Sequence, residues 1–226
     1  MCFLISTASL YCKGNADENI LAENTADVNN REGNFTYVID PGHGGVDGGA
    51  QGITGSVEKD INLKVSLIMR DLFNVLGYSA VMTREEDILL GNNTEGHKKQ
   101  EDLRERVDFV KNHENAIFIS IHMNKFPEEY CRGLTVYYSA NDPRSEALGK
   151  SVMSATLRYL QPDNKRPMKK ATSSLYVLHR ATVPAILIEC GFLSNKEEEA
   201  LLLRQDYQKK LALTLVNGIA LWSQSQ

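Results

Sequence analysis

Short apolar segments alternate with amphipathic helical segments along most of this chain, and the alternation limits the folds that it can adopt. Residues 116–122 (AIFISIH) and 184–190 (PAILIEC) are apolar at nearly every position, as in strands that are buried on both faces of a sheet. Between such runs, residues 60–76 repeat apolar side chains at helical spacing and end before Gly77. The pattern predicts an α/β fold with a mostly parallel sheet and helices on both faces, and a length of 226 residues fits a single domain.

The remaining segments complete a coarse map of the chain. Strands are predicted for residues 35–39, 78–83, 116–122, 134–138 and 184–190. Helices are predicted for residues 60–76, 102–113 and 143–160, and from a capping box at Ser194 and Glu197 to about Trp222. Residues 85–100 and 161–174 are polar, and we expect them to form long loops.

The N-terminal part differs from the rest in composition and in hydrophobic pattern. Residues 1–12 (MCFLISTASLYC) are apolar and rich in small side chains, like the end of a signal-peptide core, but no basic residues precede them. Residues 13–34 are dominated by Asn, Asp, Glu and Gly and show no period. We therefore expect residues 1–34 to be a leader remnant followed by a flexible tether, and residues 35–226 to form the folded domain.

Composition excludes several classes of function. The chain has 25 Lys and Arg against 29 Asp and Glu, a net charge of −4, so a nucleic-acid partner has no electrostatic support. No apolar run reaches the roughly 18 residues that a membrane span needs. The four cysteines show no C-x-x-C spacing, which argues against a disulfide framework or a zinc knuckle. We expect Cys131 and Cys190 to be free and Cys2 and Cys12 to lie in the tail.

Three residues that can carry chemistry follow predicted strands. His43 lies within DPGHGG after the first strand, His122 closes residues 116–121, and Glu189 closes the run AILI. The carboxyl ends of parallel strands meet at one edge of a sheet, where ligands bind, so these residues are expected to converge. The glycines around His43 also resemble a phosphate-binding loop, but no Gly-Lys-Ser/Thr and no immediate helix follow them.

Glu58 adds a second carboxylate just before the amphipathic helix. Taken alone, it is typical of a helix-start carboxylate, and a strand-end histidine such as His122 is more often structural. Together, two imidazoles and one carboxylate with an open fourth position form a catalytic zinc pattern. Glu189 is expected to be partly buried, which makes it a candidate general base with a raised pKa. This set suits amide hydrolysis, whereas the remaining histidines are expected to be solvated: His97, His113 and His179.

Several motifs, in order, resemble the zinc-dependent N-acetylmuramoyl-L-alanine amidases, the amidase 3 family. The segments are 38–45 (VIDPGHGG), Glu58-Lys59 ahead of Asn62-Leu63, Thr83-Arg84, 120–124 (SIHMN) and 189–195 (ECGFLSN). The resemblance runs from about Phe35 to Trp222. It implies a sheet of about six strands flanked by helices, with residues 35–226 as the amidase catalytic domain.

The resemblance also implies roles for individual residues. His43, Glu58 and His122 would bind one Zn²⁺, and Glu189 would be catalytic. The substrate would be peptidoglycan, cut between the lactyl group of N-acetylmuramic acid and L-alanine of the stem peptide. Such a substrate implies a location outside the cytoplasm.

The small size and residues 174–180 (SLYVLHR) resemble the germination-specific amidases of spore formers, which act in the cortex before muramic δ-lactam forms. The alternatives are a general autolysin or phage-type amidase, a peptidoglycan-binding pseudoenzyme, and a zinc carboxypeptidase. The two polar loops could form a rim beside the site. They are expected either to be mobile surface loops or to receive an exported protein that activates or regulates the enzyme.

Overall fold

The computed structural model describes residues 35–91 and 98–226. The strands are β1 (Thr36–Pro41), β2 (Ser79–Met82), β3 (Ala116–Asn124), β4 (Thr135–Tyr138), β5 (Lys169–Lys170) and β6 (Ala185–Phe192). The helices are α1 (Glu58–Val75), α2 (Lys98–Lys111), α3 (Arg144–Tyr159), α4 (Tyr176–Arg180), α5 (Lys196–Leu202) and α6 (Gln205–Ser223). The predicted leader and tether, His97 and part of the first polar loop lie outside the described residues.

One six-stranded sheet organises the domain, in the order β2-β1-β3-β6-β4-β5. Strands β2, β1, β3 and β6 run parallel to one another, whereas β4 runs antiparallel to β6 and β5 follows the direction of β4. The predicted fold class, a single α/β domain with a mostly parallel sheet, is therefore confirmed. The carboxyl ends of β1, β3 and β6 meet at one edge, where the candidate site lies.

Alternation along the strands sends side chains to two separate cores. Ile39 packs into a large cluster with residues of α1, α3 and α6 on one face of the sheet. Its neighbour Val38 packs into a smaller cluster with residues of α2 and α4 on the other face. Central strands are thus covered on both sides, which explains why they are apolar at consecutive positions.

The structure corrects two predictions about local elements. The sequence predicts a loop throughout residues 161–174, but these residues contain the two-residue strand β5, and the short helix α4 follows soon after them. The capping box at Ser194 is wrong. Asn195 is the N-cap of α5, and its side chain accepts hydrogen bonds from the amides of Glu197 and Glu198. The Ser194 hydroxyl instead accepts a hydrogen bond from the amide of Phe126.

None of the helices in the described part of the chain combines the length and the apolar character needed to cross a bilayer.

Candidate metal centre

His43 lies in the glycine-rich loop that follows β1, and two glycines make room around it. Its backbone is in the left-handed region, with φ of 62°. A Cβ atom on Gly42 would lie 2.2 Å from Cε1 of His122, and one on Gly49 would lie 2.5 Å from Oε2 of Glu58. Only residues without a side chain allow the loop to approach both groups this closely.

Glu58 is the first residue of α1, and its carboxylate lies between the two imidazoles. Oε2 lies 3.3 Å from Nε2 of His43, and Oε1 lies 2.9 Å from Nδ1 of His122. The amides of Ala50 and Met123 donate to the same carboxylate at 2.7 and 3.1 Å. Burial acts to raise the pKa of Glu58, but hydrogen bonds and charge from the two histidines hold it well below its usual range.

His43, Glu58 and His122 therefore form a compact cluster of metal-binding groups. One ligand atom from each residue can be chosen so that all three lie within 4.8 Å of one another. The two rings are 5.0 Å apart between centroids and stand at 78° to each other, so they approach from different directions. Two imidazoles and one carboxylate are ligands that Zn²⁺ accepts in catalytic sites, and the residues present fit such an ion.

Asp47 supports this cluster, although the sequence interpretation did not include it. Its Oδ2 lies 3.1 Å from Nδ1 of His43, the ring nitrogen that faces away from Glu58. Carboxylates in this position orient the ring of a metal-binding histidine. An acidic residue four positions after a histidine in a glycine-rich loop is the sequence signal that could have identified it.

Glu189 pairs with His122 across the adjacent parallel strands β6 and β3. Its Oε2 is buried and has no hydrogen-bond partner among the described residues. Burial raises the pKa of Glu189 to about 7, and the nearby charge of Glu58 acts in the same direction. The buried surroundings that the run AILI predicts are therefore present, and they give a carboxyl that can gain or lose a proton near neutral pH.

The amides of the glycine-rich loop bind protein oxygen atoms. Gly44 donates to the carbonyl of Asp47, and Gly45 donates to Oδ1 of Asp87. Gly42 donates to the carbonyl of Ile121. These amides are not available to cradle a phosphate, so the phosphate-loop alternative is wrong.

The other predicted single residues are not members of the cluster. His179 is exposed on α4, as expected. His113 is only half-buried rather than fully solvated, and its Nδ1 lies 2.8 Å from the carbonyl of Phe109. Within the described ranges, Cys131 and Cys190 are free, which confirms that prediction.

A separate cleft of about 790 Å³ lies outside this cluster. It is lined by residues 130–133 and 160–167 and by Glu197 and Glu198 of α5. None of the four predicted site residues lines it. Part of the second polar loop therefore shapes a concave surface of its own.

Comparison with known proteins agrees with this geometry. A family model described as N-acetylmuramoyl-L-alanine amidase matches residues 38–221. The chain belongs to this amidase family. The match contains all four predicted site residues, and the amidase activity implied by the sequence motifs is confirmed at the level of the family.

Individual relatives extend the comparison. The amidase is 37% identical over 184 residues to the germination-specific N-acetylmuramoyl-L-alanine amidase of Bacillus subtilis (strain 168), covering 80% of this chain and 76% of the relative. It is also similar to the CwlD amidase of Clostridioides difficile, solved in complex with the GerS lipoprotein. That match has a TM-score of 0.80 and 34% identity over 84% of this chain and 99% of the other. The amidase AmiC2 of Nostoc punctiforme matches with a TM-score of 0.73 and 31% identity, over 84% and 97% of the two chains.

Proposed function

We propose that this N-acetylmuramoyl-L-alanine amidase depends on one zinc ion held by His43, Glu58 and His122, with Glu189 as its general base. The observation that supports the assignment is the convergence of these three groups within 4.8 Å beside half-buried Glu189, whose Oε2 is buried and has no hydrogen-bond partner among the described residues. Residues 35–226 are proposed as the catalytic domain, and residues 1–34 as the remnant of a leader and a tether.

The chemistry follows from the proposed roles. When bound, zinc would polarise the scissile carbonyl and lower the pKa of a bound water to about 7. Glu189 accepts one proton from the attacking water at a carboxylate oxygen and delivers it to the nitrogen of L-alanine. The bond between the lactyl carbonyl carbon and this nitrogen breaks. The products are a lactyl carboxylate on the glycan and a stem peptide with a free amine.

The side chains of His43 and Glu58 are held in place by neighbouring groups. Asp47 holds one nitrogen of the His43 ring, and two backbone amides hold the Glu58 carboxylate. Side chains fixed in this way lose little freedom when they take up an ion or a substrate.

Mass spectrometry of a peptidoglycan digest tests the reaction. Amidase activity releases intact stem peptides and leaves muramic acid with a free lactyl group. A carboxypeptidase would release single amino acids, and a peptidoglycan-binding pseudoenzyme would leave the muropeptides unchanged. Either of these two results would contradict the proposal.

We further propose that the substrate is spore-cortex peptidoglycan, cut before muramic δ-lactam forms. The support is the similarity to the germination-specific amidase of Bacillus subtilis. The alternative is a general autolysin or phage-type amidase. Parallel digests of purified cortex and vegetative wall separate the two, since a cortex enzyme releases stem peptides faster from cortex, whereas equal rates favour the alternative.

We also propose that the amidase acts outside the cytoplasm and that an exported protein binds it there. The support is the relative solved in complex with a lipoprotein, together with the cleft shaped by residues 130–133 and 160–167. Zinc titration of the chain alone and with a candidate exported lipoprotein tests the idea. Tight zinc binding and full activity without the partner would contradict it. A reporter fused to the complete N-terminus tests export.

A further inference from the structure

The loop that carries His43 is held by two arginines that are remote from it in sequence. Arg106 of α2 donates from Nη1 to the carbonyl of Pro41 at 2.9 Å and from Nη2 to the carbonyl of His43 at 2.8 Å. Arg84, after β2, donates from Nε to Pro41 and from Nη2 to Gly42, both at 3.0 Å. Three consecutive backbone carbonyls, ending with that of a proposed metal ligand, thus point at guanidinium groups.

Arg106 uses its whole donor capacity in this arrangement. Besides the two carbonyls, Nη1 binds Oδ1 of Asp40, and Nε and Nη2 bind the carboxylate of Asp102 at 2.8 and 3.1 Å. A guanidinium has five N–H donors in a fixed plane, and here each has an acceptor. The Arg106 side chain is only 2% exposed, so none of these bonds is easily replaced by water.

Asp40 links this cluster to the strands that carry the site. Its carboxylate accepts hydrogen bonds from the hydroxyls of Thr83 and Ser120, both at 2.7 Å. Ser120 lies two residues before His122 on β3, and Asp40 lies three residues before His43. The two arginines balance the charges of Asp40 and Asp102, so the cluster is neutral as a whole and can remain buried.

The loop needs such support because its backbone is strained. A non-glycine residue in the left-handed region, as at His43, is retained only where its surroundings hold it there. Without Arg106, the buried carbonyl of Pro41 and the partly buried carbonyl of His43 would each lose a donor, and the loop would relax towards other partners. The His43 ring would then leave the position in which it faces Glu58.

We propose that Arg106, assisted by Arg84, is a positioning residue that sets the metal affinity of the site by holding the His43 loop through its carbonyl groups. This inference rests on the proposed role of His43 as a zinc ligand. The proposed role differs from that of a stabilising ion pair, because Arg106 donates a hydrogen bond to the backbone carbonyl of the proposed ligand His43. Lysine keeps the charge but offers three donors without the planar fork, so it cannot reach all of these acceptors.

The test measures zinc affinity by competition with a chromophoric chelator in the full chain and in Arg106→Lys. The expected result is 10–100-fold weaker binding, the usual effect of losing an outer-shell contact, with most of the activity restored by excess zinc. Arg84→Lys, which leaves the Arg106–Asp40 pair intact, is expected to shift affinity in the same direction. It also keeps the test valid if Arg106→Lys does not fold.

Two controls separate positioning from general destabilisation. Arg144→Lys makes the same chemical change at an arginine that binds Asp142 at the start of α3. Leu215→Ala opens a cavity in the core beneath α6. Both are expected to keep the parental zinc affinity at temperatures where they are folded. Two results would overturn the proposal. One is a zinc affinity within threefold of the parent in both Arg106→Lys and Arg84→Lys, and the other is a loss of activity that excess zinc does not restore. Stem-peptide release by the parent chain tests the amidase function independently.

Discussion

Glu189 and His122 stand opposite each other on neighbouring parallel strands, at the edge of the sheet where both strands end. His122 is a proposed metal ligand, and the Glu189 carboxyl has a buried Oε2 with no hydrogen-bond partner among the described residues. The pairing places this carboxyl beside the proposed ligand without any loop between them. The chemistry proposed for this amidase therefore depends on strand register as well as on loop geometry.

Replacing His122 is expected to remove the metal. In His122→Ala, two of the three proposed ligands remain, and an incomplete site should hold far less zinc after dialysis. His179→Ala is a matched control, because His179 is exposed on α4 and lies outside the cluster. Metal analysis of the purified variants checks this. One equivalent of zinc with parental affinity in His122→Ala would show that the ligand assignment is wrong.

Glu189→Gln is expected to keep zinc and fold but to lose turnover. The amide has nearly the shape of the carboxyl group but cannot take a proton from water, and general bases contribute about 10²–10⁴-fold to rate. Steady-state release of stem peptide gives kcat, and metal analysis gives occupancy. Glu114→Gln, at an exposed carboxylate just after α2, serves as the control. Activity of Glu189→Gln within threefold of the parent would remove Glu189 from the mechanism.

The stability of the metal-free protein should depend on pH through Glu189. Burial raises the pKa of this carboxyl from 4.5 to about 7 in the folded chain. A raised pKa means that the protonated form is favoured on folding. The stability that this form contributes is complete below pH 4.5, declines as pH rises, and is lost above about pH 7. Between these two pH values the free energy of unfolding falls by about 1.4 kcal/mol for each pH unit, which gives a full loss of about 3 kcal/mol.

Thermal unfolding of metal-free parent and Glu189→Gln at several pH values measures this effect. The variant cannot ionise, so its stability relative to the parent should increase between pH 4.5 and 7. If the stabilities of the two proteins differed by a constant amount over this pH range, burial would not have raised the pKa of the Glu189 carboxyl. The metal must be removed, because a bound cation would lower the pKa of a neighbouring carboxyl.

Gly42→Ala is expected to displace His122. The added Cβ would lie 2.2 Å from Cε1 of the imidazole, well inside contact distance, so the ring or the loop must move. Gly48→Ala in the same loop would meet Cγ1 of Val57 at 3.1 Å, a contact that a small shift relieves. Zinc affinity should fall clearly in the first variant and little in the second. Equal affinities in the two variants would contradict the close packing of Gly42 on His122.

Much of the fold follows from sequence because its signals are local. Apolar runs such as 116–122 mark buried parallel strands, and the carboxyl ends of such strands meet at one edge. For this reason, His43, His122 and Glu189 can be grouped from the sequence alone. Helix α1 has a period long enough to be recognised, whereas the five residues of α4 are too few to show one.

The support of the site could not be predicted in the same way, since it depends on contacts between distant segments. Arg106 lies in a helix that is mostly polar, and its burial depends on acceptors from a distant segment, the Asp40 carboxylate and the carbonyls of Pro41 and His43. Ser194 and Asn195 are both suitable helix caps by residue type. A tertiary contact decides between them, because the Ser194 hydroxyl is already bound to the amide of Phe126.

The most direct test of zinc dependence is to strip the full chain of metal and follow stem-peptide release from muropeptides as zinc is added back. We expect no release without metal, a rise in rate proportional to occupancy, and an end point at one zinc per chain. His122→Ala measured in parallel should stay inactive at the same zinc concentrations. Full activity of the metal-stripped chain, or an end point unrelated to one zinc per chain, would contradict the proposed zinc mechanism.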